Sequence, residues 1–360
     1  MQEEKAMFES VMWTYIREEE PLLNQLLNSN NVPFEIHKLS GIKALYVTAH
    51  GSSYNAACAA APIISRLAGI RTYCYTPAAF RFNAPSIDHE SAKDTWVLGI
   101  SQTGTSRGVL EAVKLAKDKG FHAVGITAVP DSPISRLCDV TFDLACGEED
   151  SNAKTKGYSS TLTVLMILGA ELGRLNKTLS DTEYQEFYDE LRAQVNDINA
   201  VTERTLRWCE ANRYGIGMDN LYVVGTGINA ATAMEGQLKL METQCVPTMF
   251  NDIGEFSHGM HRSLTKHSNV ILLNSREDRE LTETTMKYLR EKQIPALMIN
   301  AQEESSYPDV INVGSYPKTS SVLLITTAIQ VISVFVPEIN GLDPNRNANN
   351  DYTEVTETRV

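Results

Sequence analysis

Short apolar runs that favour strands alternate with helical patterns along this chain, and the whole series occurs twice. The first series predicts strands at Ala44–Thr48, Thr95–Ile100, Ala123–Thr127 and Val140–Leu144. The second predicts strands at Leu221–Val224, Val270–Leu273, Ala296–Ile299 and Val310–Val313. Such alternation favours parallel sheets that helices cover on both faces. The chain is therefore expected to form two α/β units, each with a doubly wound, mainly parallel sheet.

The intervening helical patterns indicate where each unit begins and ends. They are expected near Asn55–Leu67, Arg107–Lys119, Ser132–Leu137, Tyr158–Leu175, Ala230–Gln244, Glu280–Lys292 and Ser320–Val336. A polar helical segment, about Ser180 to Asn212, connects the two series. We therefore predict a first domain at 1–185 with N-terminal helices, a second at 186–342 with the connecting helix, and a polar tail or lid at 343–360.

Composition and net charge indicate which kinds of binding partner the protein can have. The chain has 360 residues, 42% of them hydrophobic and 21% charged, with a net charge of −13. This acidity argues against nucleic acid or an anionic membrane as the main partner, although a helix N-terminus still binds a small anion. The six cysteines contain no Cys-x-x-Cys pair, and Met1–Lys5 carries no secretory pattern, so a cytoplasmic protein is expected. The uncharged stretch Thr319–Pro337 is predicted to be a buried helix rather than a membrane span.

Four hydroxyls and a glycine follow the predicted strand Thr95–Ile100, in the order Ser101-Gln102-Thr103-Gly104-Thr105-Ser106. Ligands bind at this end of a strand in open α/β sheets, and hydroxyls with free backbone N–H groups suit a phosphate. An ordinary capped turn would need only one hydroxyl. The sequence therefore favours a phosphate loop here, and Gly51-Ser52-Ser53 could add a further hydroxyl to the same anion.

A second glycine turn, Gly225-Thr226-Gly227-Ile228-Asn229-Ala230, fits the first part of a dinucleotide fingerprint. That fingerprint also needs an acidic residue at the end of the next strand, about 20 residues on. Glu242 lies at roughly that distance but within the same helical segment. The turn is therefore interpreted as close helix packing rather than an NAD site, and no cofactor is predicted.

Three charged residues stand out in a segment that is otherwise uncharged from Leu221 to Asn251. Glu235, Lys239 and Glu242 are spaced i, i+4, i+7, which places them on one face of a helix. They are either an exposed ion-paired stripe or a buried functional group. Downstream, Glu255, His258 and His261 could hold a metal, but an acid–base histidine acting with nearby carboxylates fits better.

Taken together, these segments resemble the sugar isomerase (SIS) family of phosphosugar-binding proteins over nearly the whole chain, as two tandem SIS domains of flavodoxin-like type. The family's phosphate loop is matched by Ser101, Gln102, Thr103 and Ser106, and its Gly-Thr-Ser contact by Gly51, Ser52 and Ser53. The resemblance implies a phosphosugar substrate and no metal. It also implies catalysis by Glu242 and His258, supported by Glu235, Lys239 and Glu255.

Two departures from the isomerase half of glucosamine-6-phosphate synthase narrow the resemblance. The lysine of that enzyme's C-terminal lid is replaced by Asn350, a candidate substrate contact. Lys154-Thr155-Lys156-Gly157 resembles instead the deglycases of fructosamine 6-phosphates, so Lys154 is expected to pair with the substrate's α-carboxylate. Without this resemblance, residues 154–157 would be interpreted as a solvated loop.

The resemblance thus implies an enzyme that releases a hexose 6-phosphate and a free amino acid from their conjugate. A phosphosugar isomerase or aminosugar-phosphate deaminase is the alternative, and a non-catalytic sugar-phosphate sensor is an alternative of another class. In the family the catalytic histidine comes from the neighbouring subunit. A homodimer or higher homo-oligomer with shared active sites is therefore expected.

Overall fold

The computed structural model describes residues 10–28, 36–213 and 216–360. These residues cluster into two compact units that are discontinuous in sequence. The first-sheet unit comprises residues 22–28, 36–148, 157–189 and 349–360, and the second-sheet unit 10–21, 149–156, 190–213 and 216–348. The predicted domain limits at 185/186 and 342/343 concern the linear sequence and stay a prediction.

The described strands are β1 Ala44–Thr48, β2 Arg71–Tyr75, β3 Thr95–Ile100, β4 His122–Thr127, β5 Val140–Asp143, β6 Leu221–Gly225, β7 Thr248–Asp252, β8 Asn269–Asn274, β9 Ala296–Asn300 and β10 Val310–Asn312. The described α-helices are α1 Val11–Asn28, α2 Gly51–Ala68, α3 Pro77–Asn83, α4 Arg107–Asp118, α5 Pro133–Leu137, α6 Lys156–Leu175, α7 Asp181–Ala211, α8 Ile228–Gln244, α9 Ile253–His258, α10 Arg279–Glu291, α11 Val322–Ile339 and α12 Tyr352–Val355. Short 3-10 turns lie at Ile36–Leu39, Pro85–His89 and Met260–Ser263.

Both sheets are parallel and share one topology. The first has the order β2-β1-β3-β4-β5, and the second has the equivalent order β7-β6-β8-β9-β10. The predicted repetition and fold class are therefore confirmed. In each sheet the strand order reverses beside the first strand of the unit, and ligands bind at the carboxyl ends of the strands there. In the first sheet this point lies between β1 and β3, whose following segments are the two hydroxyl-rich motifs.

The central strands were predictable because they are mostly apolar, with polar residues only at their ends. Every residue of β1, β3, β6 and β8 is buried, as expected for strands covered on both faces. Strands β2 and β7 were not predicted; they are edge strands with partly exposed residues. Apolar and polar residues do not alternate clearly in these two strands. Each strand pairs with only one other strand, and only part of one face of each strand requires apolar side chains.

Helix α2 begins earlier than predicted, whereas α11 is the buried helix that was expected. Helix α2 begins at Gly51 rather than near Asn55, so Ser52 and Ser53 belong to its first turn. Helix α11 is long and apolar enough to cross a membrane, yet 94% of its apolar window is buried inside the protein. It packs against α8 in the second-sheet unit, which confirms the expected buried helix.

Candidate active site

The hydroxyl-rich loop after β3 has a backbone that only glycine accommodates at its centre. Gly104 has φ +70°, and a Cβ there would lie 2.1 Å from the side chain of Ser132. Its N–H donates to the carbonyl of Ser101 at 2.9 Å, and its own carbonyl accepts from the N–H of Ile134 at 3.2 Å. The loop is therefore a fixed, tightly folded turn at the carboxyl edge of the first sheet.

The hydroxyls of this loop do not cap the helix that follows. Ser106 is the N-cap residue of α4, but its side chain makes no capping bond. The Ser101 Oγ instead accepts from the N–H of Ser106 at 3.3 Å, and the Thr103 and Thr105 hydroxyls lie 2.8 Å apart. Gln102 contacts the Cys146 Sγ through its amide nitrogen at 3.6 Å. A capped turn does not explain this loop, whereas a phosphate at the N-terminus of α4 would.

The segment after β1 lies beside the start of the same helix. A Cβ at Gly108 would lie 2.9 Å from Nε2 of His50, so the imidazole ring lies directly against the first turn of α4. His50 precedes Gly51, which has φ +55°, and Ser53 in the first turn of α2. Partial burial lowers the pKa of His50, which favours the neutral ring. The first-sheet unit thus places His50, next to the Gly51–Ser53 motif, against the first turn of α4, the helix that follows the hydroxyl-rich loop.

The equivalent edge of the second sheet has a different electrostatic character. Glu277 accepts hydrogen bonds from the hydroxyls of Ser275 at 3.0 Å and Ser320 at 2.8 Å. Asp278 accepts from the hydroxyl of Thr226, in the second glycine turn, at 3.0 Å. Two carboxylates disfavour a phosphate or pyrophosphate at this point. This arrangement supports a close-packed glycine turn over a dinucleotide site.

Glu242 lies near the C-terminus of α8 with one oxygen enclosed. Its Oε2 is buried and makes no hydrogen bond within the described part of the chain. Burial raises the pKa of this carboxyl to about 7, the Glu235 charge raises it further, and the positive charges of Lys239 and Lys154 oppose the rise. A carboxyl group that titrates near neutrality can both accept and return a proton.

Glu235 and Lys239 form a buried ion pair within the two turns of α8 that precede Glu242. The Lys239 Nζ lies 3.2 Å from the Glu235 Oε1, and the two side chains are 0% and 1% exposed. Lys239 Nζ also donates to the backbone carbonyl of Lys154. The alternative of an exposed charged stripe is therefore wrong at these two positions, because α8 packs both residues into the second-sheet unit. The hydrogen bond from Lys239 therefore links the loop that contains Lys154 to the helix that contains Glu242.

The loop at 149–156 is held by several further polar contacts. Lys154 Nζ donates to the carbonyls of Glu149 at 2.8 Å and Ser151 at 3.0 Å. Asn152 donates its backbone N–H to the Asn345 Oδ1 at 2.7 Å. The two hydrogen bonds from Lys154 to the carbonyls of Glu149 and Ser151 leave one ammonium hydrogen of Lys154 for a further acceptor. The Lys154 ammonium is thus fixed close enough to Glu242 to influence its pKa.

Arg346, in the polar tail, was given no role from the sequence and lies at the C-terminal end of α8. Its guanidinium donates to the carbonyls of Thr243 at 2.8 Å and Gln244 at 2.6 Å. The last carbonyls of a helix otherwise lack partners, and a cation there is favourable. The available signal in the sequence was an arginine four residues before Asn350, within the predicted tail.

The histidine segment is on the surface of the second-sheet unit. His258 ends α9, is exposed, and makes no hydrogen bond to any described residue. Glu255 is also exposed, in the first turn of α9, whereas His261 Nδ1 lies 3.1 Å from the carbonyl of Phe256. His258 is accordingly presented to the exterior.

Among the predicted site residues, the second-sheet unit brings Lys154, Glu235, Lys239 and Glu242 together. The first-sheet unit does the same for the two hydroxyl-rich motifs. Asn350 belongs to the first-sheet unit, where it is exposed and its carbonyl accepts from the Thr353 hydroxyl at 3.1 Å. In the described residues, no group of three or more His, Cys, Asp or Glu is placed to hold a metal ion.

Comparison with known proteins agrees with this fold. The SIS domain family model matches residues 38–170 and 217–309, more than half of the chain. A glutamine–fructose-6-phosphate aminotransferase (isomerizing) of Clostridium tetani (strain Massachusetts / E88) is 28% identical over 340 residues. This match covers 91% of the chain and 54% of that protein, so the chain spans about half the length of this relative.

Two solved structures are similar over nearly the entire chain. One is a protein from Clostridium difficile 630 described as a suspected phosphosugar isomerase, with a TM-score of 0.87, 23% identity, and coverage of 96% of this chain and 97% of that one. Another is the C-terminal domain of glucosamine-fructose-6-phosphate aminotransferase from Francisella tularensis, with a TM-score of 0.81, 19% identity, and coverage of 94% and 99%. At these identities the likeness concerns the fold. The family match and the repeated topology establish that the chain belongs to the SIS domain family.

Proposed function

We propose that the chain is a deglycase that cleaves an amino-acid sugar 6-phosphate of the fructosamine type into a hexose 6-phosphate and a free amino acid. The observation that carries this proposal is Glu242, a partly enclosed carboxyl group whose pKa is raised to about 7 beside a fixed ammonium group, Lys154. The carboxyl group suits proton transfer, and the ammonium group suits a carboxylate on the substrate.

The proposed chemistry is a reverse Amadori rearrangement followed by hydrolysis. His258 moves a proton to the ring oxygen and opens the sugar. Glu242 then removes a proton from C-1 and returns it to C-2, which converts the keto-amine into an imine between C-1 and the amino nitrogen. Water adds to C-1, and the C–N bond breaks to release the amine and the aldehyde of the sugar. The sequence of steps is redox-neutral, so no redox cofactor is proposed.

The phosphate of the substrate is proposed to bind at the loop at 101–106 and the first turn of α2. Ser53, Ser101, Thr103 and Ser106 supply hydroxyls there, and α4 supplies its N-terminus. Binding energy from a part of the substrate that does not react can contribute to catalysis at its reacting atoms. The comparison with aminotransferases that isomerise fructose 6-phosphate supports a phosphosugar substrate.

Lys154 is proposed to select for the amino-acid part of the substrate. Its side chain is held by two carbonyl contacts, and its remaining ammonium hydrogen would meet the α-carboxylate. Lys154→Ala is expected to raise KM for the amino-acid conjugate by about 10-fold or more, because a charge-assisted hydrogen bond is lost. Steady-state kinetics on fructose 6-phosphate provide the control. Equal effects on the conjugate and on the bare sugar phosphate would contradict the assignment.

His258 is proposed to act in the active site of a neighbouring copy. It is exposed and lacks a hydrogen-bond partner in its own described chain. Four apolar side chains of residues 241–260 are also exposed, at Met241, Met249, Phe250 and Met260, and would be covered if a second copy binds here. A cytoplasmic homo-oligomer, at least a dimer, is accordingly proposed.

A coupled assay for glucose 6-phosphate release tests the proposed reaction. The panel comprises fructosyl-lysine, fructosyl-asparagine and glucosyl-lysine 6-phosphates, with fructose 6-phosphate and glucosamine 6-phosphate followed in parallel. Release from a conjugate supports the deglycase and points to its amino acid. Turnover of the bare sugars alone would favour the alternative, a phosphosugar isomerase or aminosugar-phosphate deaminase that uses the same Glu242 and His258. A sensor would show a ligand-dependent shift in Tm without turnover.

A further inference from the structure

The last residues of the chain pair with the phosphate loop in the first-sheet unit. Ser106 and Arg359 form an antiparallel bridge. It is flanked by hydrogen bonds from the N–H of Arg107 to the carbonyl of Thr358 and from the N–H of Val360 to the carbonyl of Thr105, each 3.0 Å. We call residues 357–360 the tail strand.

This register fixes the direction of the Arg359 side chain. Residues directly opposite in an antiparallel pair project their side chains to the same face, and a pair flanked by hydrogen bonds in this way is the closer type. Arg359 therefore extends on the face that carries the Ser106 hydroxyl. Arg359 is exposed, and within the described residues it has neither an ion-pair nor a hydrogen-bond partner for its guanidinium group.

The loop's other nearby cation is already neutralised. Arg107, at the first position of α4, forms an ion pair with Glu357 of the tail strand at 3.2 Å. Its Nε is buried and unpartnered. This ion pair anchors the tail strand beside the loop. It also leaves Arg359 as the positively charged group of this pairing that is open to an incoming anion.

We propose that Arg359 binds the phosphate of the substrate together with the hydroxyls of the loop, an inference that rests on the proposed function. The loop contains no lysine, so the tail strand would supply the positive charge that its hydroxyls and helix N-terminus lack. A guanidinium group suits this position because its planar fork binds two phosphate oxygens at once. Recognition of the phosphate thus depends on a residue more than 250 positions away from the loop.

Isothermal titration calorimetry with fructose 6-phosphate and inorganic phosphate tests the inference. Arg359→Ala is expected to raise the Kd for fructose 6-phosphate by about 10-fold, because one charge-assisted contact is lost. Arg359→Lys should recover part of this affinity, since it retains the charge without the fork. The difference between wild type and Arg359→Ala should shrink between low and high salt.

Two reference variants distinguish failure of the inference about Arg359 from failure of the proposed phosphate site. Arg207→Ala removes an exposed arginine on α7 and should leave the Kd within twofold of wild type. Ser101→Ala tests the phosphate loop itself. If Ser101→Ala weakens binding while Arg359→Ala does not, the inference about Arg359 is overturned and the proposed function stands. Equal losses in Arg359→Ala and Arg359→Lys would also overturn it. If wild type binds neither ligand, the proposed phosphate site fails as well.

Discussion

At the scale of single residues, the account depends on the ionisation of Glu242. Glu242→Gln keeps the size of the side chain but cannot accept a proton from carbon. We expect turnover to fall by at least about 10³-fold, within the range of a lost acid–base group, while the Kd for the substrate changes little. Stopped assays combined with calorimetry measure both quantities. Glu210→Gln, on the exposed face of α7, is the control, and near-wild-type turnover of Glu242→Gln would refute the role of Glu242.

The raised pKa of Glu242 also predicts a pH dependence of activity. The base form is required, so kcat/KM should rise with pH and level off above about 7. A profile from pH 5 to 9 would show this limb. A profile with no inflection between pH 6 and 8 would contradict the assignment, once solvent isotope effects show that proton transfer limits the rate.

The same group predicts a pH-dependent contribution to stability. Because the folded-state pKa of Glu242 is raised above its ordinary value of 4.5, its contribution is fully present below that value and is lost as pH rises to about 7. Glu242→Gln should therefore increase the free energy of unfolding at pH 8 by roughly 1–3 kcal/mol, and should have little effect near pH 4. Urea unfolding at the two pH values measures this. If Glu242→Gln were less stable than wild type at pH 8, burial of the Glu242 carboxylate would not be unfavourable, and the prediction would be wrong.

At the scale of elements, the proposed phosphate loop at 101–106 depends on one backbone conformation. Gly104→Ala places a Cβ at φ +70° against Ser132, so the loop must distort and KM for the phosphosugar should rise by about 10-fold or more. Gly120 offers a matched control, because it has φ +88° but a Cβ there meets nothing within 4 Å. Gly120→Ala should destabilise the fold without changing KM. Similar KM values for both variants would show that the loop does not bind the phosphate.

The sequence predicted the buried elements and the loops between them well, for physical reasons visible in particular residues. The runs at β1 and β3 are mostly apolar because both faces are covered, and the hydroxyls of residues 101–106 follow where β3 ends. The edge strands β2 and β7 carry no comparable pattern. The spacing of Glu235 and Lys239 gave the helix face but not its burial. Whether a face meets solvent or α11 is decided by tertiary packing.

Long-range contacts were beyond the reach of local patterns. Nothing near Lys239 in the sequence indicates that its ammonium group binds the carbonyl of Lys154, 85 positions away. The same holds for the bridge between Ser106 and Arg359. Such contacts depend on how the chain returns to the same sheet edge or helix end, which short-range periodicity does not encode.

At the scale of the whole molecule, the proposal that His258 acts in the active site of a neighbouring subunit is testable by complementation. If His258 acts in a neighbouring site, Glu242→Gln and His258→Ala are each inactive, but a mixed dimer contains one intact site. Random reassortment of a dimer should restore about a quarter of wild-type activity, since half of the dimers are mixed and half of their sites are intact. Mixing the purified variants under conditions of subunit exchange measures this. No recovery, with exchange verified by native mass spectrometry, would place both groups in one chain.

The central claim is that the chain separates an amino acid from a sugar 6-phosphate through proton transfer by Glu242. Nuclear magnetic resonance of a single reaction with fructosyl-lysine or fructosyl-asparagine 6-phosphate follows both products at once. The account predicts equal amounts of glucose 6-phosphate and free amino acid with wild type, and neither product with Glu242→Gln. An intact carbon–nitrogen bond in the wild-type reaction with every conjugate, while a bare sugar phosphate is isomerised or deaminated, would contradict it.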